Sequence, residues 1–156
     1  MSEVTRYRLH ELELDERDEL LASRSSAMLA FVDDKGFPRL VPCWFLWDGI
    51  AFYVTSFTDK FHVRCLRHNP RASIGIEIAH ADAKAIGNRQ VKGVGEVVIS
   101  EDVAGYWARR IRRKYLGPDA PDFAGGPQRV VIKLRPHSLT AHGGGMKLAH
   151  GTPLKN

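Results

Sequence analysis

The chain has 156 residues, the length of one domain with a sizeable hydrophobic core. Its hydrophobic share of 44% is typical of a globular protein and argues against disorder, and no apolar run approaches the ~20 residues that span a membrane. The formal net charge of +5 suits an anionic ligand. Nucleic acid is one such ligand, but the sequence has no helix-turn-helix, zinc-finger or RNA-binding signature, so we do not expect a nucleic-acid partner.

The two cysteines, Cys43 and Cys65, have neither metal-binding nor redox-motif spacing. The charged N-terminal stretch lacks the apolar core of a signal peptide, so we expect a reduced, cytoplasmic protein. None of the seven histidines belongs to an HExxH or a Cys/His zinc pattern. We therefore expect no metal site.

The first part of the chain predicts one helix followed by three strands. The helix covers 14–23, with Asp15 as its N-cap and acidic residues in its first turn. A turn follows the first strand, with Gly36 able to adopt a positive φ angle. The three strands are predicted at 26–32, 38–47 and 50–55.

Prolines and a turn dipeptide constrain the second of these strands. Pro38 and Pro42 lack the N–H groups that a central strand donates, so this strand lies at an edge of the sheet or contains a bulge. Asp48 and Gly49 separate two apolar runs and predict a two-residue hairpin turn into the third strand.

The second half of the chain adds strands and one more helix. Gly93 and Gly95 lie within one long strand and indicate a bulge or a close approach of backbone. Ser100 is expected to cap a helix that runs to about Tyr115, and Pro136 is expected to end the last strand. The three strands are predicted at 71–79, 89–100 and 128–136.

Together these elements predict a mostly β fold of the α+β class. About six strands joined by short connections, with two or three short helices, are typical of a small antiparallel barrel. We expect one domain over residues 1–142, followed by a C-terminal tail at 143–156.

A basic segment, TSFTDKFHVRCLRHNPR, covers residues 55–71. It predicts a helix from about Lys60, with Thr58 or Asp59 as its N-cap. At ~100° per residue Lys60, Arg64 and Arg67 share one stripe of this helix, whereas His62 points nearly opposite Lys60.

Hydroxyl groups precede that stripe, at Thr55, Ser56 and Thr58. Hydroxyls, exposed helical N–H groups and a lysine are the composition of a phosphate site. The alternative is a solvated basic helix, because basic helix faces are common at protein surfaces.

The chain resembles the pyridoxamine 5′-phosphate oxidase-like superfamily of flavin and deazaflavin oxidoreductases. The resemblance is carried, in order, by the segments FYVTS, RCLRHNPRASI and NRQVKGVGEV. It covers about residues 20–135 and implies a six-stranded antiparallel split barrel. It also implies a homodimer with two cofactor sites at the subunit interface.

The resemblance implies roles for individual residues. The hydroxyls of Thr55, Ser56 and Thr58 and a following lysine would bind the cofactor phosphate. Counted forward from FYV this lysine is Lys60, whereas counted backward from Asn69-Pro70 the position is His62. The helix geometry favours Lys60, together with Arg64.

The ring of the cofactor has its own expected contacts. Gln90 matches the glutamine that contacts the flavin ring, and Lys92 follows it on the same face of the strand. The segment with Pro42 and Trp44 matches the one that lies along the ring.

The function that the resemblance implies is an oxidoreductase that transfers hydride or electrons to a small organic substrate. FMN is the expected cofactor, the deazaflavin coenzyme F-420 is the alternative, and a nicotinamide donor stays open. The cofactor ring carries the chemistry, so no catalytic side chain is identified.

Other functions stay open at this stage. The C-terminal substrate segment of a true pyridoxamine phosphate oxidase has no match here. A non-catalytic flavin-binding protein and, less favoured, a weak nucleic-acid binder are the alternatives. The basic residues at 109–114 could attract an anionic tail or form the solvated face of a helix.

Overall fold

A computed structural model describes residues 7–81, 85–122 and 128–147. In chain order its elements are β1 (Arg8–Glu11), α1 (Leu14–Ala22), β2 (Ala27–Val32), β3 (Pro38–Cys43), β4 (Leu46–Trp47), β5 (Phe52–Phe57), α2 (Phe61–His68), β6 (Arg71–Ala81), β7 (Ala85–Glu101), α3 (Tyr106–Leu116) and β8 (Arg129–Lys147), with a single 3₁₀ turn at Val103–Gly105.

Within the described ranges the strands form one antiparallel sheet in the order β3-β2-β6-β7-β8-β5-β4, and β1 pairs with β8. The expected fold class, a mostly antiparallel split barrel with short helices, is confirmed. The structure has eight strands rather than six for two reasons. The predicted strand 38–47 is broken at Trp44 and Phe45 into β3 and β4, and β1 was not predicted.

The edge position of β3 follows from its prolines. Pro38 and Pro42 lie in the terminal strand of the sheet, whose only neighbour in the described sheet is β2, as their missing N–H groups require. Gly36 has the predicted positive φ of 82° and Gly49 has a φ of 96°. The hairpin loop is longer than predicted, because Trp47 pairs with Phe52 and four residues lie between them.

The long hairpin of β7 and β8 dominates the sheet. Its register shifts between Val94 and Gly95, as the two glycines predicted. Pro136 lies opposite Gly95 at this irregularity, so the proline is accommodated and does not end the strand as expected. β8 continues through residues 143–147, the first part of the expected tail, while 148–156 lie outside the described residues.

The glycine run at the end of β8 gives room for β1. A Cβ atom on Gly144 would overlap the Tyr7 ring, and a Cβ on Gly143 would lie 2.7 Å from the His10 ring. The Tyr7 hydroxyl donates a 2.7 Å hydrogen bond to Asn88 on β7. These glycines therefore serve a structural role in cross-strand packing.

All three predicted helix N-caps differ from those in the structure. Glu13, not Asp15, is the N-cap residue of α1 and makes reciprocal capping contacts with Glu16. Lys60, not Thr58 or Asp59, is the N-cap residue of α2 and makes no side-chain cap.

At α3 the expected cap was also wrong. Ser100 remains within β7, and the carboxylate of Asp102 accepts hydrogen bonds from the main-chain N–H groups of Trp107 and Ala108. None of the described helices is long and apolar enough to cross a membrane.

The main core of the described residues lies between the sheet and the three helices, and a smaller separate cluster forms around Ala51, Tyr53 and Val131. The largest fully buried side chains of the main core come from α1, α2, the β3–β4 break and the central strands: Leu20, Leu21, Leu29, Phe45, Phe52, Val63, Leu66, Ile74, Ile76, Val91, Val130 and Ile132.

We predict that Gly95→Ala destabilises the fold by about 1–3 kcal/mol, as overpacking does. A Cβ atom at Gly95 would lie 2.6 Å from the main-chain oxygen of Arg135, which cannot move without disturbing the ladder of β7 and β8. Gly75→Ala is the matched control, because no heavy atom lies within 4 Å of a Cβ there. Urea unfolding of both variants checks this, and equal stability of the two would contradict it.

Candidate cofactor site

A pocket of about 280 Å³ lies between the end of β3, β5, the first turn of α2, α3 and the start of β8. Polar and apolar groups both line it: Val41, Pro42, Cys43, Trp44, Val54, Thr55, Ser56, His62, Ala108, Ile111, Arg112 and Arg129. Four of the residues expected from the sequence are among them, namely Pro42, Trp44, Thr55 and Ser56. The other expected residues lie outside this lining: Thr58, Lys60, Arg64, Gln90 and Lys92.

His62 faces this pocket. Its Nε2 atom lies 2.7 Å from the hydroxyl oxygen of Ser56, in a hydrogen bond that joins α2 to β5. Burial lowers the pKa of His62, and the neighbouring charge of Lys60 lowers it further. In the sequence, His62 was indicated only by counting backward from Asn69-Pro70 to the position of the phosphate-binding lysine in the family.

The basic stripe of α2 exists as predicted but faces solvent. Lys60, Arg64 and Arg67 are all exposed. Arg64 donates a 2.7 Å hydrogen bond from Nη1 to the main-chain oxygen of Asp59, and Arg67 contacts that of Thr58 at 3.4 Å. Arg64 and Arg67 thus pack back onto the loop that precedes α2, whereas His62, on the opposite side of the helix, lines the pocket.

Arg112 and Arg129 are pocket residues that sequence reasoning did not identify. Arg129 opens β8 opposite Phe57 and lies 4.5 Å above its ring. Burial lowers the pKa of Arg129. The charge of Asp102 raises this pKa and the charge of Arg112 lowers it, and both effects are smaller than that of burial. Two guanidinium groups are therefore close enough to interact at one side of the pocket.

A signal for Arg112 was present in the helix pattern. Arg112 follows Ile111 and lies one turn beyond Ala108, both of which are buried. It therefore borders the apolar face of α3. From the sequence, the basic residues at 109–114 were expected either to attract an anionic tail or to form a solvated helix face. Nothing in the sequence links Arg112 to Arg129, which lies on a different element.

Trp44 forms an aromatic wall of the pocket. Its ring stacks on Tyr115 of α3 with a centroid distance of 4.6 Å and an interplanar angle of 6°. The Tyr115 hydroxyl donates to the main-chain oxygen of Ser25 at 2.8 Å and accepts from the N–H of Phe45 at 3.3 Å. These contacts hold the β3–β4 break against α3.

Comparison with known proteins identifies the family. The family model described as pyridoxamine 5′-phosphate oxidase matches residues 14–143. The chain belongs to the pyridoxamine 5′-phosphate oxidase family. No curated protein matches the sequence.

Proteins whose solved structures have a similar fold carry names that indicate different functions. A 5-nitroimidazole antibiotic resistance protein from Bacteroides thetaiotaomicron has a TM-score of 0.75 at 16% identity, with 92% of each chain covered. An F420 reductase has a TM-score of 0.64 at 26% identity, covering 78% of this chain and 94% of the other. The heme storage protein of Vibrio cholerae has a TM-score of 0.63 at 20% identity, with 81% and 92% covered.

The pocket opens beside one face of the sheet, called here the outer face, which carries Pro42, Met28 and Lys92. Pairing places Pro42 opposite Met28, Met28 opposite Gly75, and Gly75 opposite Lys92. Pro42 and Lys92 therefore share one face, separated by three strand spacings of about 4.8 Å each. Gln90 lies two residues from Lys92 on that same face.

The chemistry of the lining fits a phosphorylated, ring-containing cofactor of the kind that family members bind. Hydroxyl and guanidinium groups are donors suited to a phosphoryl group. Trp44, Pro42 and the aliphatic side chains offer an apolar surface for a flat ring.

Lys114 supports the pocket wall from behind. Its amine donates 3.1 Å hydrogen bonds to the main-chain oxygens of Leu21 and Phe45 and lies 3.6 Å from the centroid of the Phe45 ring. Burial lowers its pKa from 10.5 to about 8.

We predict that stability rises with pH through Lys114. Its folded pKa lies below the unfolded value of 10.5, so between pH 8 and 10.5 the unfolded chain binds more protons. The free energy of unfolding of the natural chain should therefore increase relative to that of Lys114→Met as the pH rises through this window. Urea unfolding across it checks the sign, and Lys35→Met controls for the loss of one positive charge. A constant difference would contradict the prediction.

Proposed function

We propose that the protein is a flavin- or deazaflavin-dependent oxidoreductase that passes hydride or electrons to a small organic substrate. FMN is the proposed cofactor and the deazaflavin coenzyme F-420 is the alternative. One observation supports the proposal: in a chain of this family, the pocket combines hydroxyl and guanidinium donors with an aromatic wall at Trp44. The substrate would reach the ring from the open side of the pocket.

The bound cofactor would supply the redox chemistry, and the chain would bind and orient it. Thr55 and Ser56 would donate hydrogen bonds to phosphate, and Arg112 and Arg129 would neutralise its charge. Pro42 and Trp44 would flank the ring and exclude water from one side of it.

The basic face of α2 would act at longer range. Lys60 and Arg64 lie outside the pocket lining, and the Arg64 guanidinium contacts the main chain at Asp59. In this proposal their positive charges attract the anionic cofactor towards the pocket. Their contribution to affinity should therefore weaken as the salt concentration rises.

A homodimer would complete the site. The outer face of the sheet exposes Met28, Leu40 and Val94 to 47%, 64% and 41%, and pairing through β2 and β6 joins them into one apolar surface beside Pro42. Such a contiguous surface is typical of an interface. A second copy packed there would bring its Gln90 and Lys92 towards the ring.

Two observations bear on the cofactor and on turnover. The F420 reductase, at 26% identity, supports the deazaflavin alternative. The heme storage protein favours the second candidate function, a binding protein without turnover. Absorption spectra of the purified protein titrated with FMN and with coenzyme F-420, followed by mixing with a reduced nicotinamide, separate these possibilities.

We predict that Gln90→Leu weakens cofactor binding by about 1–3 kcal/mol, because a buried polar group of the ring loses its partner. Gln128→Leu is the matched control, because Gln128 is exposed and lies outside the pocket lining. Fluorescence titration measures both affinities. An unchanged affinity in Gln90→Leu would remove this residue from the site.

We predict that Leu40→Lys dissociates the dimer while leaving the fold of each copy intact, because a charge on the outer face opposes its burial. Leu14→Lys is the matched control, since Leu14 is 68% exposed on α1, away from that face. Light scattering should give a dimer mass for the natural chain and the control. A monomer mass for the natural chain with cofactor bound would contradict the prediction.

A further inference from the structure

We propose that His62 binds the phosphoryl group of the cofactor as an imidazolium, so that cofactor binding takes up a proton. The inference rests on the proposed function and assigns the phosphate contact of α2 to His62 in place of Lys60. Its consequence is a cofactor affinity that depends on pH near neutrality, which a lysine at this position would not produce.

The geometry places His62 where an anion would contact it. Its ring lines the same pocket as the guanidinium groups of Arg112 and Arg129, and its Nε2 atom is fixed 2.7 Å from the Ser56 hydroxyl. The ring is also tilted against Phe31 at a centroid distance of 6.2 Å, which orients it further. Neither contact supplies a negative charge.

Burial, and after it the charge of Lys60, disfavour protonation of His62 before a ligand binds. The titratable and charged groups that line the pocket with it are Cys43 on β3, Arg112 on α3 and Arg129 on β8, beside the hydroxyls of Thr55 and Ser56 on β5. The described lining residues include no carboxylate. Burial raises the pKa of Cys43 to about 12, so its thiol brings no compensating charge either.

A phosphoryl group reverses this balance. Burial, and after it the charge of Lys60, hold the pKa of His62 below its ordinary value of 6.5 without a ligand. A phosphate dianion in hydrogen-bonding distance favours the charged ring and raises that pKa. By linkage the affinity must then increase as the pH falls through the interval between the two values. The protonated ring has two donors, so it can hold both Ser56 and a phosphate oxygen.

Calorimetric titration tests the inference. FMN is titrated into the natural chain, His62→Lys, His62→Asn and His68→Asn, in two buffers of different ionisation enthalpy, at several values between about pH 6 and 8. His68 is the matched control, because it lies on the exposed side of the same helix. The phosphate of FMN has its own pKa near ~6, but this titration is common to all four proteins.

We expect the natural chain and His68→Asn to take up about one more proton per FMN than His62→Lys at neutral pH. Between about pH 6 and 8 the FMN affinity of the natural chain should decrease as the pH rises. The ratio of its affinity to that of His62→Lys should fall by up to tenfold per pH unit. His62→Asn should bind weakly at every pH. Riboflavin, which lacks the phosphate, should show no difference in proton uptake between the variants.

Three results would overturn the inference. Equal proton uptake by the natural chain and His62→Lys would remove His62 as the proton acceptor. Loss of binding in Lys60→Ala with full binding in His62→Asn would return the phosphate contact to Lys60. If the natural chain binds neither FMN nor coenzyme F-420, the proposed function itself fails, and the inference fails with it.

Discussion

The buried carboxylate of Asp102 is the constraint on which the pocket depends. It is only 4% exposed, and it accepts hydrogen bonds from the main-chain N–H groups of Trp107 at 2.9 Å and Ala108 at 3.0 Å. A buried carboxylate is stable there because it satisfies the open N–H groups of a helix and faces the positive end of the helix dipole. This contact fixes where α3 starts. It thereby directs Ile111 into the core and Arg112 into the pocket.

The same helix connects the candidate pocket to the hydrophobic core. Tyr115 stacks under Trp44 and bonds to the main chain of Ser25 and Phe45, and the Lys114 amine bonds to Phe45 from the other side. Phe45 itself is fully buried. The aromatic wall of the pocket and the hydrophobic core therefore share one support. A change in the packing of α3 would therefore alter the pocket, because α3 supports Trp44 and also supplies Ala108, Ile111 and Arg112 to the lining.

The strands could largely be predicted from the sequence, because alternating side chains and prolines mark a strand within the segment itself. The first residues of the helices could not be predicted in this way. The residue that caps a helix depends on where the preceding strand ends. Ser100 remains within β7, so Asp102 accepts the helical N–H groups in its place. In the pocket, Ser56 and Trp44 followed from the family motif. His62 lines the pocket whereas Lys60, the N-cap residue of α2, is exposed outside it. Which side of a helix faces a pocket is set by tertiary packing and not by the spacing of the residues within the helix. Arg112 and Arg129 lie on separate elements and meet only through tertiary packing, which no local pattern encodes.

The pocket opens towards the outer face of the sheet. Pro42 belongs both to the pocket lining and to that face, so the pocket opens where Met28 and Leu40 are exposed. Arg112 and Ser56 line the pocket, whereas Gln90 lies on the outer face, on a strand separated by β8 from the strand of Ser56. One copy thus presents the hydroxyl and guanidinium donors of the pocket and the amide of Gln90 in different directions. Two copies packed face to face would turn the amide of each towards the pocket of the other. The apolar surface that a monomer leaves uncovered is the surface on which that arrangement would rest.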